Sequence, residues 1–482
     1  MIDIVSIQLK EISGPLYIKL AESLQDLILQ DRIKDGDKLP SIRKLSEALH
    51  LNNSTITAAY RYLERKGILY TKLGSGTYCL PENRVMATEQ DHTFIKNIQL
   101  ELPEGGIDFA GNTPGAELFP VEEFKEAIKI VLDTDGGHAF EYHDSEGDYG
   151  LREALITFSK QHYQIDSKLK NIIVTSGAQQ AIDLISKVCV HPGDTVLAEN
   201  PSYLGARTIF AMRGANIIGI PVDQDGMNIS LLEHYVKRYH PKLLYTMPIY
   251  QTPTGVCMSP QKREELIKLA KRHEFYIIED DMLSDLCLND DKILPLKSQD
   301  DGECVIYVKS FSKMLMPGIR TAYMIVPSVI VDDLIKAKYT TDISTSGFIQ
   351  RALSIYIKSG AWDAHVKRLL PIYKERLQTV AEYAKYFREI GMSFELPKGG
   401  LGIWLTLPPN IHELQIYYKC LDKKVLIVPG SNFYISPMMG SERHIRLSYA
   451  VPDSNELKKG MEVIYQSLKS ITQRLGKSKL YL

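Results

Sequence analysis

Little in the sequence points to a membrane, an oxidising compartment or a bound metal ion. No apolar run approaches the roughly 20 residues that a membrane-spanning helix needs, and the N-terminus lacks the basic, apolar and small-residue order of a secretory signal. The chain has only six cysteines, and no two have metal-ligand spacing. Its formal net charge of -2 gives no whole-chain basic field for nucleic acid. We therefore expect a cytoplasmic protein with reduced thiols, no membrane contact and no metal site.

The pattern of the chain changes near residue 80. Residues 81–104 are mainly polar and weakly periodic, which is typical of a linker. Beyond them, short apolar runs such as NIIVTSG, KLLYTMP and CVIYVKS alternate with longer amphipathic segments. This alternation predicts βαβ units and a mainly parallel sheet. Ligands of open α/β sheets bind beyond the carboxyl ends of the strands, so we expect the chemistry there.

Residues 1–80 have the pattern of three helices followed by two short strands. The apolar residues of PLYIKLAESLQDLILQ recur at spacings of three and four, which predicts the first helix. Ser41 is a suitable N-cap for a second helix, and Gly67 is a suitable end for a third that starts near Asn52. ILYTKLGSGTYCL predicts two strands about a turn at residues 74–76. The predicted order is helix, helix–turn–helix and β-wing.

Charge and side-chain size in residues 41–80 favour a DNA-binding surface. Six Lys and Arg stand against two Glu, a local charge of +4. A recognition helix needs short polar side chains at its N-terminal end, where they enter the major groove, and the helix N-terminus favours a phosphate. The alternative is a small helical domain whose polar faces are only solvated. The candidate DNA-binding residues here are Asn53, Ser54, Thr55, Thr57, Arg61 and Gly76.

The segment LPSIRKLSEALHLNNSTITAAYRYLERKG resembles, without gaps, the helix–turn–helix of the GntR regulators. The resemblance implies that Arg43 contacts DNA together with residues 53–57. Two positions depart from the family pattern. His50 stands at the turn glycine, and Asn53 stands where an arginine is common. The second departure bears on the operator sequence more than on DNA binding itself.

The segment SFSKMLMPGIR, residues 310–320, combines a lysine with two serines and an arginine. A phosphorylated aldehyde cofactor needs a lysine amine for a Schiff base, hydroxyls, an arginine and helix-start amides for its phosphate, a buried carboxylate for its ring nitrogen and an aromatic ring for stacking. Each motif alone is more often a solvated lysine, a cap or an ordinary turn. Their joint occurrence at predicted strand ends favours the cofactor. The candidates are Lys313, Ser310, Ser312, Arg320, Asp280, Gly177, Ala178 and Tyr203.

The same motifs resemble the fold-type I aminotransferases over about residues 105–475. TSGAQQ, ENPSY, PIYQTPTG, IIEDD, SFSKMLMPGIR, PKGGLGIWL and HIRLSYA occur in that family's order. The resemblance implies an α/β fold with a mainly parallel central sheet, and a smaller C-terminal α+β subdomain at about residues 370–475. It also implies pyridoxal 5'-phosphate as the cofactor.

The resemblance further assigns roles to individual residues. Lys313 would form the Schiff base, Asp280 would pair with the pyridinium nitrogen and Tyr203 would stack on the ring. Tyr142 matches the tyrosine that reaches a neighbouring subunit's phosphate, which implies a homodimer, and Arg446 matches the arginine that binds a substrate's carboxylate. The residues that would hold the phosphate are Gly177, Ala178, Ser310, Ser312 and Arg320.

Two positions depart from the aminotransferase pattern. Thr252 stands where an asparagine is usual, and Met282 stands where a tyrosine is usual. In the family both side chains hydrogen-bond the cofactor's phenolic oxygen; threonine can keep one such bond, and methionine can donate none. Losing a hydrogen bond to a charged group costs about 1.5–3 kcal/mol, which would slow or re-tune turnover without abolishing binding. The alternative is that other residues substitute for the two groups.

A winged helix joined to an aminotransferase-like domain resembles the MocR branch of the GntR regulators and covers nearly the whole chain. The resemblance implies a transcriptional regulator that binds double-stranded DNA and senses a small amine or amino acid through pyridoxal phosphate. The effector's amine would displace Lys313, and domain closure would change the relative placement of two winged helices by a population shift. The effector, the operator and the direction of regulation are not given by the sequence.

Two other functions remain open at this stage. The chain could be a working aminotransferase that carries a DNA-binding module, with full or only partial turnover. Alternatively, the large domain could be a structural dimeriser with an empty site. The presence of Lys313, Asp280 and Arg320 together disfavours a structural dimeriser with an empty site.

Overall fold

The structure, a computed structural model, describes residues 9, 15–29, 32–33, 37–65, 68–72, 76–79, 102–289, 291–301, 304–409, 411–435 and 443–478. The predicted linker therefore lies outside the described residues up to residue 101, as does the tip of the predicted wing at residues 73–75. No helix within the described ranges is both long enough and apolar enough to cross a membrane.

The N-terminal residues form the helix, helix–turn–helix and β-wing that their pattern predicts. The two strands pair antiparallel, with Leu69 opposite Cys79 and Lys72 opposite Gly76. Apolar side chains from all three helices, among them Leu24, Leu45 and Leu63, form a core of their own. The elements are α1 (Leu16–Leu29), α2 (Ile42–Leu49), α3 (Asn53–Arg65), β1 (Leu69–Lys72) and β2 (Gly76–Cys79).

The turn between α2 and α3 explains how a histidine occupies the position of the turn glycine. His50 has a φ of +54°, in the left-handed region, and its backbone N–H bonds to the carbonyl of Ser46. Ser41 caps the start of α2 by accepting a hydrogen bond from the amide of Lys44. The Tyr60 hydroxyl donates to the carbonyl of Pro40 at 2.7 Å, which fixes α3 against the start of α2.

A mainly parallel eight-stranded sheet organises the large domain. The strand order is β4-β11-β10-β9-β8-β5-β6-β7, and β11 is antiparallel to both of its neighbours. A short β3 (Ile107–Asp108) pairs separately with a C-terminal strand. The eight strands are β4 (Ile172–Thr175), β5 (Thr195–Asn200), β6 (Asn216–Asp223), β7 (Gly226–Met227), β8 (Leu243–Thr246), β9 (Tyr276–Asp281), β10 (Val305–Ser310) and β11 (Ala322–Ile325).

Helices cover both faces of this sheet. Successive residues of the central strands belong to two different apolar clusters; Ile277 of β9 packs in one and Ile278 in the other. Burial on both faces is the reason why these strands are continuous apolar runs. The helices are α4 (Val121–Asp135), α5 (Tyr149–Tyr163), α6 (Ala178–Cys189), α7 (Leu204–Met212), α8 (Ile229–Tyr239), α9 (Pro260–His273), α10 (Val331–Asp342), α11 (Gly347–Lys358) and α12 (Ala361–Glu389).

The residues after α12 form a smaller α+β arrangement. Its three-stranded sheet has the order β12-β15-β14, and β13 pairs parallel with β3, so the start of the large domain joins its C-terminal part. The register places Trp404 and Val428 on either side of Arg446. The elements are β12 (Gly402–Thr406), α13 (Glu413–Leu421), β13 (Val425–Leu426), β14 (Val428–Pro429), β15 (His444–Ser448) and α14 (Ser454–Ser478).

Candidate functional site

The site lies where the neighbouring parallel strands β9 and β10 end. Val308 is in register with Asp280, so the carboxylate of Asp280 and the hydroxyl of Ser310 emerge at the same edge of the sheet. Lys313 follows three residues later, in the loop between β10 and β11. The fold therefore brings the predicted amine and the predicted carboxylate to one place, as expected for the carboxyl ends of parallel strands.

Asp280 has one satisfied and one unsatisfied oxygen. Its side chain is buried, and Oδ2 accepts a hydrogen bond of 2.7 Å from the hydroxyl of Tyr245 on β8. Oδ1 is buried and has no hydrogen-bond partner within the described part of the chain. Burial raises the pKa of Asp280 to about 6; the charge of Asp281 adds to the rise, while Tyr245 and Lys313 oppose it. A buried carboxylate oxygen without a donor fits the N–H of a pyridinium ring.

Lys313 carries an amine whose pKa is lowered by its surroundings. Burial lowers the pKa of Lys313 to about 8, and the nearby charges of Arg446 and Arg320 act in the same direction. Asp280 partly offsets the effect. A lysine whose pKa is lowered in this way holds a larger fraction of neutral amine near neutral pH, and neutral amine is the form that attacks an aldehyde.

A polar cradle surrounds the start of α6. Gly177 has a φ of +97°, and a Cβ placed on it would meet Nη2 of Arg320 at 2.5 Å, so glycine is required for this close approach. Arg320 donates to the carbonyl of Ser176 at 3.2 Å and to Oγ of Ser312 at 3.5 Å. Among the residues that the structure describes, no side chain caps α6, and the first turn of α6 contains no acidic residue. These first amides and the guanidinium together fit a phosphate.

The loops after β5 and β8 carry two further predicted residues. Tyr203 is half-buried at the start of α7, and its hydroxyl donates to Oε1 of Gln179 at 3.0 Å. Thr252 is buried and lines a small pocket together with Arg446. The side chain of Gln251 donates to the carbonyl of Pro201 at 2.7 Å and so joins the two loops.

Arg446 is a buried cation with spare hydrogen-bonding capacity. It donates through Nη2 to the carbonyl of Ala110, while its Nε has no partner among the residues that the structure describes. Its guanidinium lies 5.7 Å from the centre of the Phe433 ring. Burial lowers the pKa of Arg446 to about 10, and the charge of Asp108 opposes this shift. Such a group fits a ligand carboxylate.

A cavity of about 600 Å³ connects Arg446 with Tyr203. Its only acidic lining residue within the described ranges is Asp108, whose Oδ1 already accepts hydrogen bonds from the amides of Ala110 and Gly111 at 2.7 and 2.8 Å. Most of the wall is apolar. The larger aliphatic and phenyl side chains that line it are Leu102, Leu204, Leu426, Val428 and Phe433.

Tyr142 lies outside the site in the single chain, and Met282 is buried but carries no hydrogen-bond donor. The side chain of Tyr142 is 86% exposed, so the single chain does not bring it into the site. Met282 is buried directly after Asp281 and offers a thioether, a weak acceptor, in place of a donor. The remaining predicted cofactor residues lie at or after the ends of β4, β5, β8, β9 and β10, except Arg320, which lies just before β11.

The sequence did not identify two of the site's important partners. Tyr245, which bonds Asp280, was visible only as part of a buried apolar strand, and its role depends on β8 lying beside β9. Lys309, which precedes Ser310, was one lysine among 57 basic residues. Its complete burial between carboxylates is visible only in the structure.

The predicted DNA-binding residues cluster around the start of α3. Asn53 and Ser54 are exposed, and Thr55 and Thr57 are half-buried; the Thr57 hydroxyl bonds back to the carbonyl of Asn53 at 2.8 Å. Arg61 is exposed one turn further along the helix.

The other two predicted DNA contacts lie on α2 and in the wing. The side chain of Arg43 is 87% exposed and pairs with Glu47 at 3.0 Å. Exposed pairs of this kind contribute only about 0.2–1 kcal/mol, so a phosphate can replace the carboxylate. Gly76, at the start of β2, has a φ of +125°, a backbone conformation that favours glycine.

Comparisons with known proteins agree with this two-part organisation. Residues 105–464 match the family described as aminotransferase class I and II, and residues 16–79 match the bacterial regulatory proteins of the gntR family. The chain is 32% identical over 368 residues to an aromatic-amino-acid aminotransferase of Thermococcus litoralis, which covers 75% of this chain and 88% of that protein.

One further relative matches nearly the whole chain, and one solved structure matches the large domain. An uncharacterised HTH-type transcriptional regulator of Bacillus subtilis, YisV, is 29% identical over 475 residues, covering 95% of this chain and 96% of the relative. The crystal structure of LysN from Thermus thermophilus, an alpha-aminoadipate aminotransferase complexed with N-(5'-phosphopyridoxyl)-L-leucine, has a TM-score of 0.71 and 29% identity. It covers 81% of this chain and 100% of that chain.

Proposed function

Because the chain belongs to the aminotransferase class I and II family and carries a gntR-type DNA-binding region before it, we propose that this transcriptional regulator uses pyridoxal phosphate to sense an amino acid. The predicted joining of the two regions and the predicted fold are confirmed by these matches and by regulator-named relatives that match over nearly their whole length. The observation that carries the proposal is the buried, partnerless Oδ1 of Asp280 beside the lysine whose pKa is lowered.

The cofactor assignment follows from the fit of the residues present. Asp280 would hold the ring nitrogen through Oδ1, Tyr203 would lie against the ring, and Thr252 would bond the ring's phenolic oxygen. Pyridoxal phosphate, when bound, supplies an electrophilic aldehyde that captures primary amines. Lys313 would supply the resident amine, and its lowered pKa favours the reactive neutral form. The phosphate would be held by Gly177, Ala178, Ser310, Ser312 and Arg320.

The effector that best fits the cavity is an amino acid with a large apolar side chain. Arg446 would bind its carboxylate through the unpartnered Nε. The apolar wall formed by residues such as Leu426, Val428 and Phe433 would accept the side chain. Within the described lining, no second cation is available for a distal carboxylate. The leucine adduct of LysN is consistent with a ligand of this class in that related protein.

Sensing is favoured over turnover by two side chains. Thr252 and Met282 take the places of two hydrogen-bonding groups, and the thioether of Met282 cannot donate. The groups for capture of an amine are retained, whereas the groups that would hydrogen-bond the cofactor's phenolic oxygen are reduced. At most partial transaminase activity is therefore expected.

An active aminotransferase is the second candidate, because Lys313, Asp280 and Arg446 are all present in suitable positions. Continuous production of keto acid from an amino donor and acceptor would favour it. A single half-reaction that stops would favour the sensor.

The regulator would act as a homodimer in which Tyr142 reaches the partner's phosphate. Its 86% exposure in the single chain leaves the side chain available for that contact. Effector capture would then shift the population of domain arrangements and so change the separation of the two winged helices. The domain division that this requires is residues 1–80, 81–104 and 105–475, with the smaller subdomain from about residue 370.

Absorbance of the purified protein tests the proposal. Wild-type protein supplied with pyridoxal phosphate is expected to be coloured, and Lys313→Ala is expected to lose that absorbance band. Arg43→Ala is the matched control, since it should weaken DNA binding and leave the absorbance unchanged. Wild-type protein that stays colourless with the cofactor supplied would overturn the proposal. Effector binding is then tested by titrating L-leucine while both absorbance and operator affinity are measured.

A further inference from the structure

Lys309 is a fully buried lysine next to the candidate cofactor site. Its Nζ lies 2.6 Å from Oδ2 of Asp285, 3.3 Å from Oδ1 of Asp281 and 3.0 Å from Oγ of Ser284. It also lies 4.8 Å from the centre of the Tyr163 ring. Lysine is almost never fully buried unless it is paired. Here all three of its N–H donors have acceptors, so the surroundings are built around its charge.

The two carboxylates that hold Lys309 are themselves hydrogen-bonded. Asp281 accepts from the amide of Ser284 at 3.0 Å, from the Ser284 hydroxyl at 2.6 Å and from the Tyr307 hydroxyl at 2.6 Å. Asp285 accepts from the hydroxyl of Tyr163, at 2.8 Å to Oδ1. Lys309 therefore ties together the end of β9, the turn after β9, β10 and the end of α5.

The ion pair of Lys309 and Asp281 lies one residue along β10 and β9 from the pair that includes Asp280. Lys309 is directly in register with Asp281, while the preceding pair is Val308 and Asp280. Because successive side chains of a strand point to opposite faces, Asp281 and Lys309 lie behind the sheet from Asp280 and Ser310. The turn that Lys309 holds continues into Leu283, which lines the small pocket with Arg446 and Thr252.

The charge of Lys309 also acts on Asp280. Burial alone would raise the pKa of Asp281, but Lys309 and the bonds from Ser284 and Tyr307 lower it, so Asp281 is ionised. The charge of Asp281 raises the pKa of Asp280 further than burial alone does. The charge of Lys309 opposes that rise. Without the ammonium, two neighbouring buried carboxylates would compete for a proton.

We propose that Lys309 is a positioning residue for Asp280: its ammonium balances the charge of Asp281 and fixes the turn after β9, so that Asp280 stays ionised and aligned to bind a pyridinium nitrogen. Lys309 touches neither the cofactor nor the effector in this role. This role rests on the proposed cofactor site.

A double substitution tests the charge of Lys309 without leaving both of its carboxylate partners unbalanced. Lys309→Met alone would leave Asp281 and Asp285 unbalanced and could unfold the chain, so Lys309→Met is combined with Asp285→Asn. The matched control is Lys297→Met with Asp300→Asn. That buried pair, at 3.0 Å, lies near the opposite end of β10, where Lys297 also donates to the carbonyl of Val305 at 2.7 Å.

Both double variants of the full chain are measured for pyridoxal phosphate affinity by absorbance titration, and for folding of the cofactor-free form by circular dichroism. The Lys309 variant is expected to bind the cofactor at least about tenfold more weakly than the Lys297 variant, a change of about 1.4 kcal/mol in binding free energy. Its bound cofactor should also have an altered absorbance maximum, because the ring nitrogen is no longer held protonated. The Lys297 variant, which removes a buried pair near the opposite end of β10, should keep the wild-type maximum.

Two results would overturn the inference. The first is a folded Lys309 variant whose cofactor affinity and absorbance match those of wild type. The second is an equal loss of affinity in both variants without a change in absorbance maximum. Wild-type protein that takes up no cofactor is a different result, since it overturns the proposed function as well.

Discussion

The hydroxyl of Tyr245 donates a hydrogen bond of 2.7 Å to Oδ2 of Asp280 across the neighbouring strands β8 and β9. This bond occupies one carboxylate oxygen and leaves Oδ1 for another donor. It also opposes the rise in the pKa of Asp280 that burial causes. Tyr245 thereby helps to determine both the direction and the ionisation of the carboxylate.

Replacing Tyr245 by phenylalanine is expected to weaken binding of pyridoxal phosphate by about tenfold. A lost hydrogen bond to a charged group costs about 1.5–3 kcal/mol, and part of that cost falls on the ionised form that binds the pyridinium. Absorbance titration measures the affinity. Tyr323→Phe is the matched control, because that buried phenol pairs with the hydroxyl of Ser159 at 2.9 Å and does not bond Asp280. Equal affinities of the two variants would contradict the assignment.

Replacing Asp280 by asparagine is expected to flatten the pH dependence of stability of the cofactor-free protein. Burial raises the pKa of Asp280 from 3.8 to about 6, so the folded chain binds this proton more tightly than the unfolded chain. The resulting stabilisation is complete below about pH 4 and is lost as the pH rises through about 6. Its size is about 3 kcal/mol, at about 1.4 kcal/mol per pKa unit.

Chemical denaturation at a series of pH values measures this slope. Glu279→Gln is the control, since burial raises the pKa of Glu279 to about 7 and its replacement should also reduce the slope. Only Asp280→Asn should reduce cofactor affinity as well. A slope as steep as that of wild type in Asp280→Asn would contradict the burial argument.

Replacing Arg446 by glutamine is expected to affect amino acids and simple amines differently. The guanidinium is buried, so the loss of its pairing with a carboxylate should cost about 2–5 kcal/mol of binding free energy. Calorimetric titration of L-leucine should show this loss. The affinity for 3-methylbutylamine, which has the same side chain without the carboxylate, should change little. A parallel loss for both ligands would show that Arg446 acts on the fold of the cavity instead.

Replacing Glu47 by alanine is expected to tighten DNA binding, whereas Arg43→Ala should weaken it. Glu47 pairs with Arg43 at 3.0 Å on the exposed surface of α2, and its removal frees the guanidinium for a phosphate. Fluorescence anisotropy at several salt concentrations measures the affinity, and Arg43→Ala should reduce the salt slope by about 1. Lys268→Ala removes another exposed i,i+4 pair, on α9, and should leave DNA binding unchanged. The decisive result is that Glu47→Ala raises the affinity for DNA and Arg43→Ala lowers it.

Local signals in the sequence were sufficient for the architecture. The spacing of apolar residues predicted the helices of the winged helix, and the short apolar runs predicted the buried parallel strands because both of their faces are covered. The prediction for the turn was less complete: His50 departed from a glycine pattern, and the structure shows it in the left-handed conformation that the position requires. The gathering of Lys313 and Asp280 followed from their placement at strand ends.

The sequence by itself determined which chemical groups are present and which local elements carry them, because helix and strand periodicity and turn chemistry act over a few residues. The tertiary structure alone decided which distant groups meet. Arg446 donates to Ala110 from 336 positions away, and Tyr245 meets Asp280 only because β8 lies beside β9. Lys309 is the clearest case, since nothing local distinguishes it from a solvated lysine. Burial between Asp281 and Asp285 gives its charge an effect on the site, because water no longer screens it there.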